Sequence, residues 1–275
     1  MADLSTYVPS PPPKWVENFA RFGLTAKGVV YCLLGILAFM AAFEIGGQST
    51  ESTERSGIFR TIQDMPAGNV LLALTALGLF CYAIWRFIQA ARDTEDKGSD
   101  AKGVAKRLRY VFSGLVYGSF AVLAARIVLG SGGGGSDTRQ TVTAKLLEQP
   151  FGQWLVGILA VGTIIAGIYQ IYYGYSDKYR KEVQSGGLKH EVEHQMIRAG
   201  KLGYMARGIV WLVIGYLFLQ AALKSSSSEA GGNKAAFQLL ENASYGSFIL
   251  GAVALGLICY GIFMFMRAKY QPIHS

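Results

Sequence analysis

Apolar residues in this chain are concentrated in six runs rather than dispersed. Each run holds about 20 residues with few charges, which is enough for an α-helix to cross a hydrocarbon core of about 30 Å. Core helices of soluble proteins rarely run this long without charge, so the pattern predicts an all-α integral membrane protein with six transmembrane helices. The runs cover residues 24–43, 69–88, 111–129, 154–173, 204–223 and 248–266.

Short amphipathic stretches precede the second, fourth and sixth runs. Each combines a few apolar residues with polar neighbours and ends at a Pro- or Gly-containing turn. Such stretches are expected to lie at the outer membrane interface before the chain turns back inward. They cover residues 59–62, 143–147 and 237–240.

The six runs also form three copies of a two-helix unit. When Gly28, Gly114 and Gly208 are superposed, basic residues coincide seven positions earlier and aromatic residues three positions later. The second run of each copy begins after a short turn and has a glycine ten residues further on. Fixed spacing of this kind is the sequence signature of a structural repeat. The aligned sets are Arg21, Arg107 and Lys201; Tyr31, Tyr117 and Trp211; and Gly78, Gly162 and Gly256.

Each unit begins and ends on the same side of the membrane, so the three hairpins are expected to be parallel. Parallel repeats are related by an axis along the membrane normal, which predicts a pseudo-threefold arrangement. The predicted organisation is an N-terminal interfacial segment (1–20), three repeats (21–92, 101–175 and 201–268) and a cytoplasmic amphipathic linker (176–200).

Basic residues are distributed unevenly between the two sides. The net charge is +8, and 19 of the 26 Lys and Arg residues lie on the side that holds the N-terminus. Cytoplasmic loops are enriched in Lys and Arg, so we expect a multi-pass protein of the cytoplasmic (inner) membrane with both termini in the cytoplasm. The charge indicates anionic lipid headgroups on that side as partners rather than nucleic acid. The sequence leaves open whether the protein also forms a homo-oligomer or binds another membrane protein.

The repeat resembles a known bacterial family. Ala26-Lys27-Gly28 and Ala206-Arg207-Gly208 enter the first helix of their units, and a Leu-x-x-x-Pro-x-Gly pattern precedes the second helix. With the later glycine followed by an aromatic residue, these features resemble bacterial membrane proteins that carry the repeated domain of unknown function 1206. Ser113 and Ser244 depart from the pattern, replacing a basic residue and a proline. The resemblance implies six membrane helices in three pairs and implies no reaction.

The chemistry that the runs lack is informative. No histidine lies in any run, which excludes bis-histidine haem in the bilayer, and no Asp or Glu lies near the centre of a run. His190 and His194 are four residues apart, but no third ligand follows, so a solvated helix face is the preferred interpretation. The sequence therefore predicts a non-enzymatic protein without catalytic residues, metal or cofactor.

Two groups of residues are candidates for a site. Lys27, Arg86 and Arg207 lie near the inner ends of their runs, where they could extend to headgroups or form an inner-mouth site for an anion or lipid headgroup. Four tyrosines could line a polar path or hydrogen-bond between helices: Tyr31, Tyr82, Tyr117 and Tyr260. Six glycines are expected to let helices pack closely: Gly28, Gly78, Gly114, Gly162, Gly208 and Gly256.

Two classes of function fit these expectations. The preferred one is a passive channel or carrier, or a protein that binds a lipid or small molecule. The alternative is a structural or accessory scaffold that packs against other membrane proteins. A centre filled with Leu, Phe and Tyr side chains would count against a channel.

Overall fold

The computed structural model describes residues 14–47, 49–53, 55–92, 101–130, 138–149, 151–176, 179–180 and 190–270. Regular secondary structure within these ranges is helical. The helices are α1 (Lys14–Ala42), α2 (Arg55–Gln63), α3 (Gly68–Arg92), α4 (Ala101–Val128), α5 (Thr138–Leu147), α6 (Gly152–Tyr175), α7 (His190–Leu223), α8 (Asn233–Glu241) and α9 (Gly246–Tyr270). The short 3₁₀ turns are Ile45–Gly47, Thr50–Thr53 and Ser227–Glu229.

Six of these helices are long and apolar enough to cross a membrane. They are α1, α3, α4, α6, α7 and α9, and each covers one of the predicted apolar runs to within one residue. The prediction of six helices with the length and composition of membrane spans is therefore confirmed. The start of α1 meets the end of α9, because the Arg21 guanidinium donates to the carbonyl of Lys269 at 3.0 Å. We call the end of the bundle where these two helix termini meet the basic end.

The short helices α2, α5 and α8 stand where the amphipathic stretches were predicted, and each leads into the same tight turn. The residue before each following long helix has positive φ: Ala67 (58°), Phe151 (65°) and Tyr245 (60°). The next residue is always glycine, and its N–H donates at 2.8 Å to the carbonyl three residues earlier. A Cβ on Gly68, Gly152 or Gly246 would lie 1.9 to 2.1 Å from a carbonyl oxygen, so the turn requires glycine.

The six long helices pack side by side in the order α4, α3, α1, α9, α7, α6. The most extensive contacts join the second long helix of one repeat to the first of another: α3 to α4, α6 to α7, and α9 to α1. Helices α1 and α3 also pack together, as do α7 and α9. No comparable packing joins α4 and α6, the long helices of the second repeat, so the described helices form an open arc.

The repeated basic residues lie at these junctions. Arg21 donates to the carbonyl of Lys269 at the end of α9, and Arg107 donates at 2.7 Å to the carbonyl of Ala90 near the end of α3. In the third copy, the Lys201 ammonium lies 5.4 Å from the centre of the Tyr175 ring, at the end of α6. Cations stabilise helix C-termini, where backbone carbonyls lack partners, so these residues fasten each repeat to its neighbour.

The open side of the arc has a cause in the sequence. Gly23 and Gly203 are so close to α3 and α9 that an added Cβ would lie 2.6 Å from atoms of Tyr82 or Tyr260. The aligned residue in the second repeat is Arg109. The next close contact along α1 and α7 is made by Ala26 and Ala206. The second repeat has Phe112 at this position. A side chain as large as Phe112 is incompatible with the same close crossing, which accounts for the separation of α4 from α6.

Five of the six predicted packing glycines contact a neighbouring helix. Gly78 and Gly256 face Ala26 and Ala206, where an added Cβ would approach within 2.4 Å. Gly28, Gly114 and Gly208 likewise face a long helix of another repeat. At Gly162 an added Cβ would meet nothing within 4 Å, so this glycine mediates no packing among the residues that the structure describes.

This difference gives a matched pair of variants. We expect Gly256→Ala to lower the free energy of unfolding by about 1–3 kcal/mol, because the new methyl group overlaps Ala206. At Gly162 the same change should be neutral, or stabilising by up to about 1 kcal/mol through helix propensity. Thermal unfolding in detergent measures both variants. Equal destabilisation by the two would contradict the open arrangement of α4 and α6.

The predicted linker (176–200) overlaps the first turns of α7, which begins at His190. Met196 and Ile197 are buried against the bundle, so this stretch packs on protein rather than extending along the membrane surface alone. Leu188, which the amphipathic pattern included, lies outside the described residues. The pseudo-threefold axis stays a prediction.

Candidate functional site: a buried cation–tyrosine cluster

The three candidate cations and the four candidate tyrosines meet in one place. We call this group, with two further residues, the cation–tyrosine cluster: Lys27, Arg86, Arg207, Tyr31, Tyr82, Tyr117, Tyr260, Trp211 and Gln89. Its members come from α1, α3, α4, α7 and α9, and α6 supplies none of them. The cluster therefore occupies the concave side of the arc of helices.

Lys27 lies at its centre with only 4% of its surface exposed. Its ammonium is 3.3 Å from the Tyr82 hydroxyl oxygen and 5.0 Å from the ring centres of both Tyr82 and Tyr117. The Tyr260 ring centre is 5.4 Å away. Electron-rich aromatic faces attract cations, and this attraction grows when water is excluded. Lys27 thus points into the protein, and the alternative that it extends to headgroups is wrong.

Arg86 approaches the same tyrosine from the basic end. Its Nε donates to the Tyr82 hydroxyl oxygen at 2.9 Å, and Nη1 donates to Gln89 Oε1 at 2.7 Å. The guanidinium also lies 5.2 Å from the centre of the Tyr110 ring on α4. The hydroxyl of Tyr82 therefore accepts hydrogen bonds from two cations, Lys27 and Arg86.

Arg207 occupies the equivalent place in the third repeat. Its Nη1 donates to the Tyr260 hydroxyl oxygen at 2.6 Å. The guanidinium carbon lies 5.6 Å from the ring centres of Tyr31 and Trp211. Its Nε is buried and has no hydrogen-bond partner. A buried donor without a partner carries an energetic cost that a bound acceptor would remove.

Helical periodicity explains why these residues converge. Lys27 and Tyr31 are four residues apart on α1, as are Arg207 and Trp211 on α7, and residues at this spacing share a helix face. Tyr82, Arg86 and Gln89 follow the same rule on α3. Once the close contacts at the glycines fix the rotation of each helix, these faces point to one centre.

The cluster carries three positive charges, and the hydroxyls of Tyr82 and Tyr260 and the amide of Gln89 accept hydrogen bonds from them. It contains no carboxylate. The ion pair between Arg21 and Glu17 lies apart from it, near the start of α1. Removing charges from water costs several kcal/mol each unless they are paired, so a cluster of three cations among neutral side chains is suited to an anionic partner.

Aromatic side chains cover the cluster on the side of α7 and α9 that faces the basic end. Tyr204 lies 5.5 Å, ring centre to ring centre, from Tyr260 and also from Tyr179. Tyr179 is fully buried and its hydroxyl donates to the carbonyl of Ile197. Phe263 completes this layer at 5.7 Å from Tyr179. These side chains lie between the cluster and this part of the basic end.

Two other features are separate from the cluster. A recess of about 350 Å³ opens at the opposite end of the bundle and is lined by Ala41, Glu44, Gly47, Ser49, Thr50 and Glu241. His190 and His194 are exposed on α7 with ring centres 6.4 Å apart. Among the described residues, no group of three or more His, Cys, Asp or Glu side chains is placed to hold a metal ion.

The sequence identified most of the cluster but missed Trp211, Gln89 and the covering Tyr204. Trp211 stands at the repeat position of Tyr31 and Tyr117, so the alignment contained the signal. Gln89 lies three residues after Arg86, on the same helix face.

Comparison with known proteins supports the organisation of the chain as three repeats. The model of the family described as Domain of Unknown Function (DUF1206) matches three times, at residues 22–93, 108–177 and 202–271. An uncharacterized protein of Bacillus subtilis (strain 168), YxxB, is 36% identical over 257 residues, which cover 94% of this chain and 92% of that protein. No solved structure matches the chain. Three matches that span most of the sequence show that the chain belongs to the DUF1206 family of repeated, multi-pass membrane proteins.

Proposed function

We propose that this protein is a non-enzymatic membrane protein that binds an anionic oxygen group, a phosphate or a carboxylate, at the cation–tyrosine cluster. The observation that carries the proposal is the convergence of Lys27, Arg86 and Arg207 without a carboxylate among them. The unpartnered Nε of Arg207 is a hydrogen-bond donor ready for such a ligand.

The depth of the cluster suits a ligand held at the inner membrane boundary. Lys27, Arg86 and Arg207 each lie within one helical turn, about 5 Å, of the basic-end limit of their apolar runs. With the basic end in the cytoplasm, as the distribution of Lys and Arg favours, the cluster lies just inside the headgroup region of the inner leaflet. The arrangement of the repeats around a pseudo-threefold axis would place it on that axis.

A binding role is better supported than a passive pore. The rings of Tyr82, Tyr117 and Tyr260 are buried and fill the space where the helices converge. Outward-facing apolar residues on α4 and α6 are ordinary for lipid-facing helices, so they do not favour a scaffold.

The cluster contains a natural reporter, because Arg207 lies over Trp211. With Trp15, Trp85 and Trp154 replaced by phenylalanine, Trp211 fluorescence can be titrated with glycerol phosphate on the detergent-solubilised protein. We expect a saturable change, and Arg207→Gln or Lys27→Gln should weaken binding about tenfold or more, as loss of a charge-assisted hydrogen bond implies.

Arg126→Gln is the matched control, because Arg126 is an exposed arginine in the last turn of α4. It removes the same charge without touching the cluster, so it should leave the affinity unchanged. The absence of any saturable response in the parent protein, or an equal loss in the Arg126 variant, would refute the proposed anion site.

A further inference from the structure

The second repeat lacks two of the side chains that the other repeats contribute to the cluster. At the position where the other repeats carry Lys27 and Arg207, the second repeat has Ser113. At the position of Tyr82 it has Ala166. Small, uncharged side chains thus stand where the other two repeats supply a cation and a phenol ring.

The bundle is also open laterally at the second repeat, between α4 and α6. Helices α4 and α6 lack extensive mutual packing, and an added Cβ at Gly162 would meet nothing within 4 Å. In the other repeats this glycine position faces the first long helix of its own unit, so Gly162 is expected to face the gap toward α4. Both helices carry exposed apolar side chains, among them Leu115 on α4 and Ile165 on α6.

A polar group of the second repeat, on α6, lacks a partner. Gln170 stands at the repeat position of Arg86, and its buried amide oxygen has no hydrogen bond. An amide oxygen accepts a hydrogen bond from a hydroxyl group. An anion that also carries hydroxyls would satisfy both Gln170 and the Nε of Arg207.

We infer that the ligand is an anionic phospholipid with a hydroxyl-bearing headgroup, of the phosphatidylglycerol class, which enters sideways between α4 and α6. This inference rests on the proposed function. The phosphodiester binds near Lys27, Arg86 and Arg207, and the acyl chains remain against the apolar faces of α4 and α6. Two acyl chains need an opening toward the membrane, and the gap between α4 and α6 provides it, whereas the aromatic layer of Tyr204 and Tyr179 occupies part of the basic end.

The test uses the full-length protein in nanodiscs of mixed phosphatidylcholine and phosphatidylglycerol. Native mass spectrometry counts the phosphatidylglycerol that stays bound after release from the disc. We expect Gly162→Phe to fill the gap and to reduce bound phosphatidylglycerol about tenfold, while glycerol phosphate still binds in the Trp211 assay. Gly157→Phe is the matched control, since this glycine also faces open space on α6 but is rotated by about 140°.

The outcomes distinguish failure of this inference alone from failure of the proposed function. If Gly162→Phe retains phosphatidylglycerol as the parent does, sideways entry is wrong and the anion site stands. Equal retention of phosphatidylcholine and phosphatidylglycerol, with glycerol phosphate still bound, overturns the lipid class alone. If neither glycerol phosphate nor phosphatidylglycerol binds, the proposed function and this inference fail together.

Discussion

Replacing Tyr82 with phenylalanine is expected to lower the free energy of unfolding by about 3 kcal/mol. The Tyr82 hydroxyl accepts hydrogen bonds from both Lys27 and Arg86, and the side chain is almost completely buried. The variant keeps the ring and removes only the oxygen, so both cations lose an acceptor in a buried site. Hydrogen bonds to charged groups contribute roughly 1.5–3 kcal/mol each, and a buried charge left without its partner costs more.

Thermal or denaturant unfolding of the purified protein measures this loss. Tyr169→Phe is the control, because Tyr169 is an exposed tyrosine on α6, and its change should stay within about 0.5 kcal/mol. Adding Lys27→Met to Tyr82→Phe should recover part of the stability, since both partners of one hydrogen bond are then absent. A Tyr82 variant as stable as the control would show that its hydroxyl does not support the cations.

Replacing Gly203 with alanine is expected to have an effect of similar size, about 3 kcal/mol, at the upper end of the range for overpacking. An added Cβ would lie 2.6 Å from Cα of Tyr260, and this backbone atom cannot move without shifting α9 against α7. The shift would also disturb the hydrogen bond from Arg207 to Tyr260. Weakened anion binding should therefore accompany the lower stability.

Gly118→Ala is the control for this variant. Gly118 lies in α4, and its added Cβ would be 3.8 Å from the Cβ of Ala83, an ordinary contact distance. The control should be neutral or slightly stabilising through helix propensity. If Gly203→Ala unfolds at the same temperature as Gly118→Ala, the close crossing of α7 and α9 is wrong.

Local patterns in the sequence determined the helices and the repeat. Run length and low charge are properties of each segment alone, so six membrane helices were predictable from residues 24–266. The glycine turn before α3, α6 and α9 was equally local, because only glycine tolerates a carbonyl oxygen so close to its Cα. Alignment of the repeats also brought Lys27 and Arg207 into register before any contact was known.

The tertiary structure alone decided where those residues point and how the second repeat differs. Whether Lys27 reaches headgroups or turns inward depends on the rotation of α1 against α3 and α9, which hydrophobicity does not specify. That rotation is set by close contacts at Gly23 and Gly28, and it directs the ammonium to Tyr82 and Tyr117.

The same steric rule explains the second repeat, where Phe112 replaces the alanine of the other two repeats and α4 is separated from α6. The sequence by itself determined three similar units. Only packing in three dimensions decided that one of them is open, because helices cross closely where side chains are small and cannot where they are large.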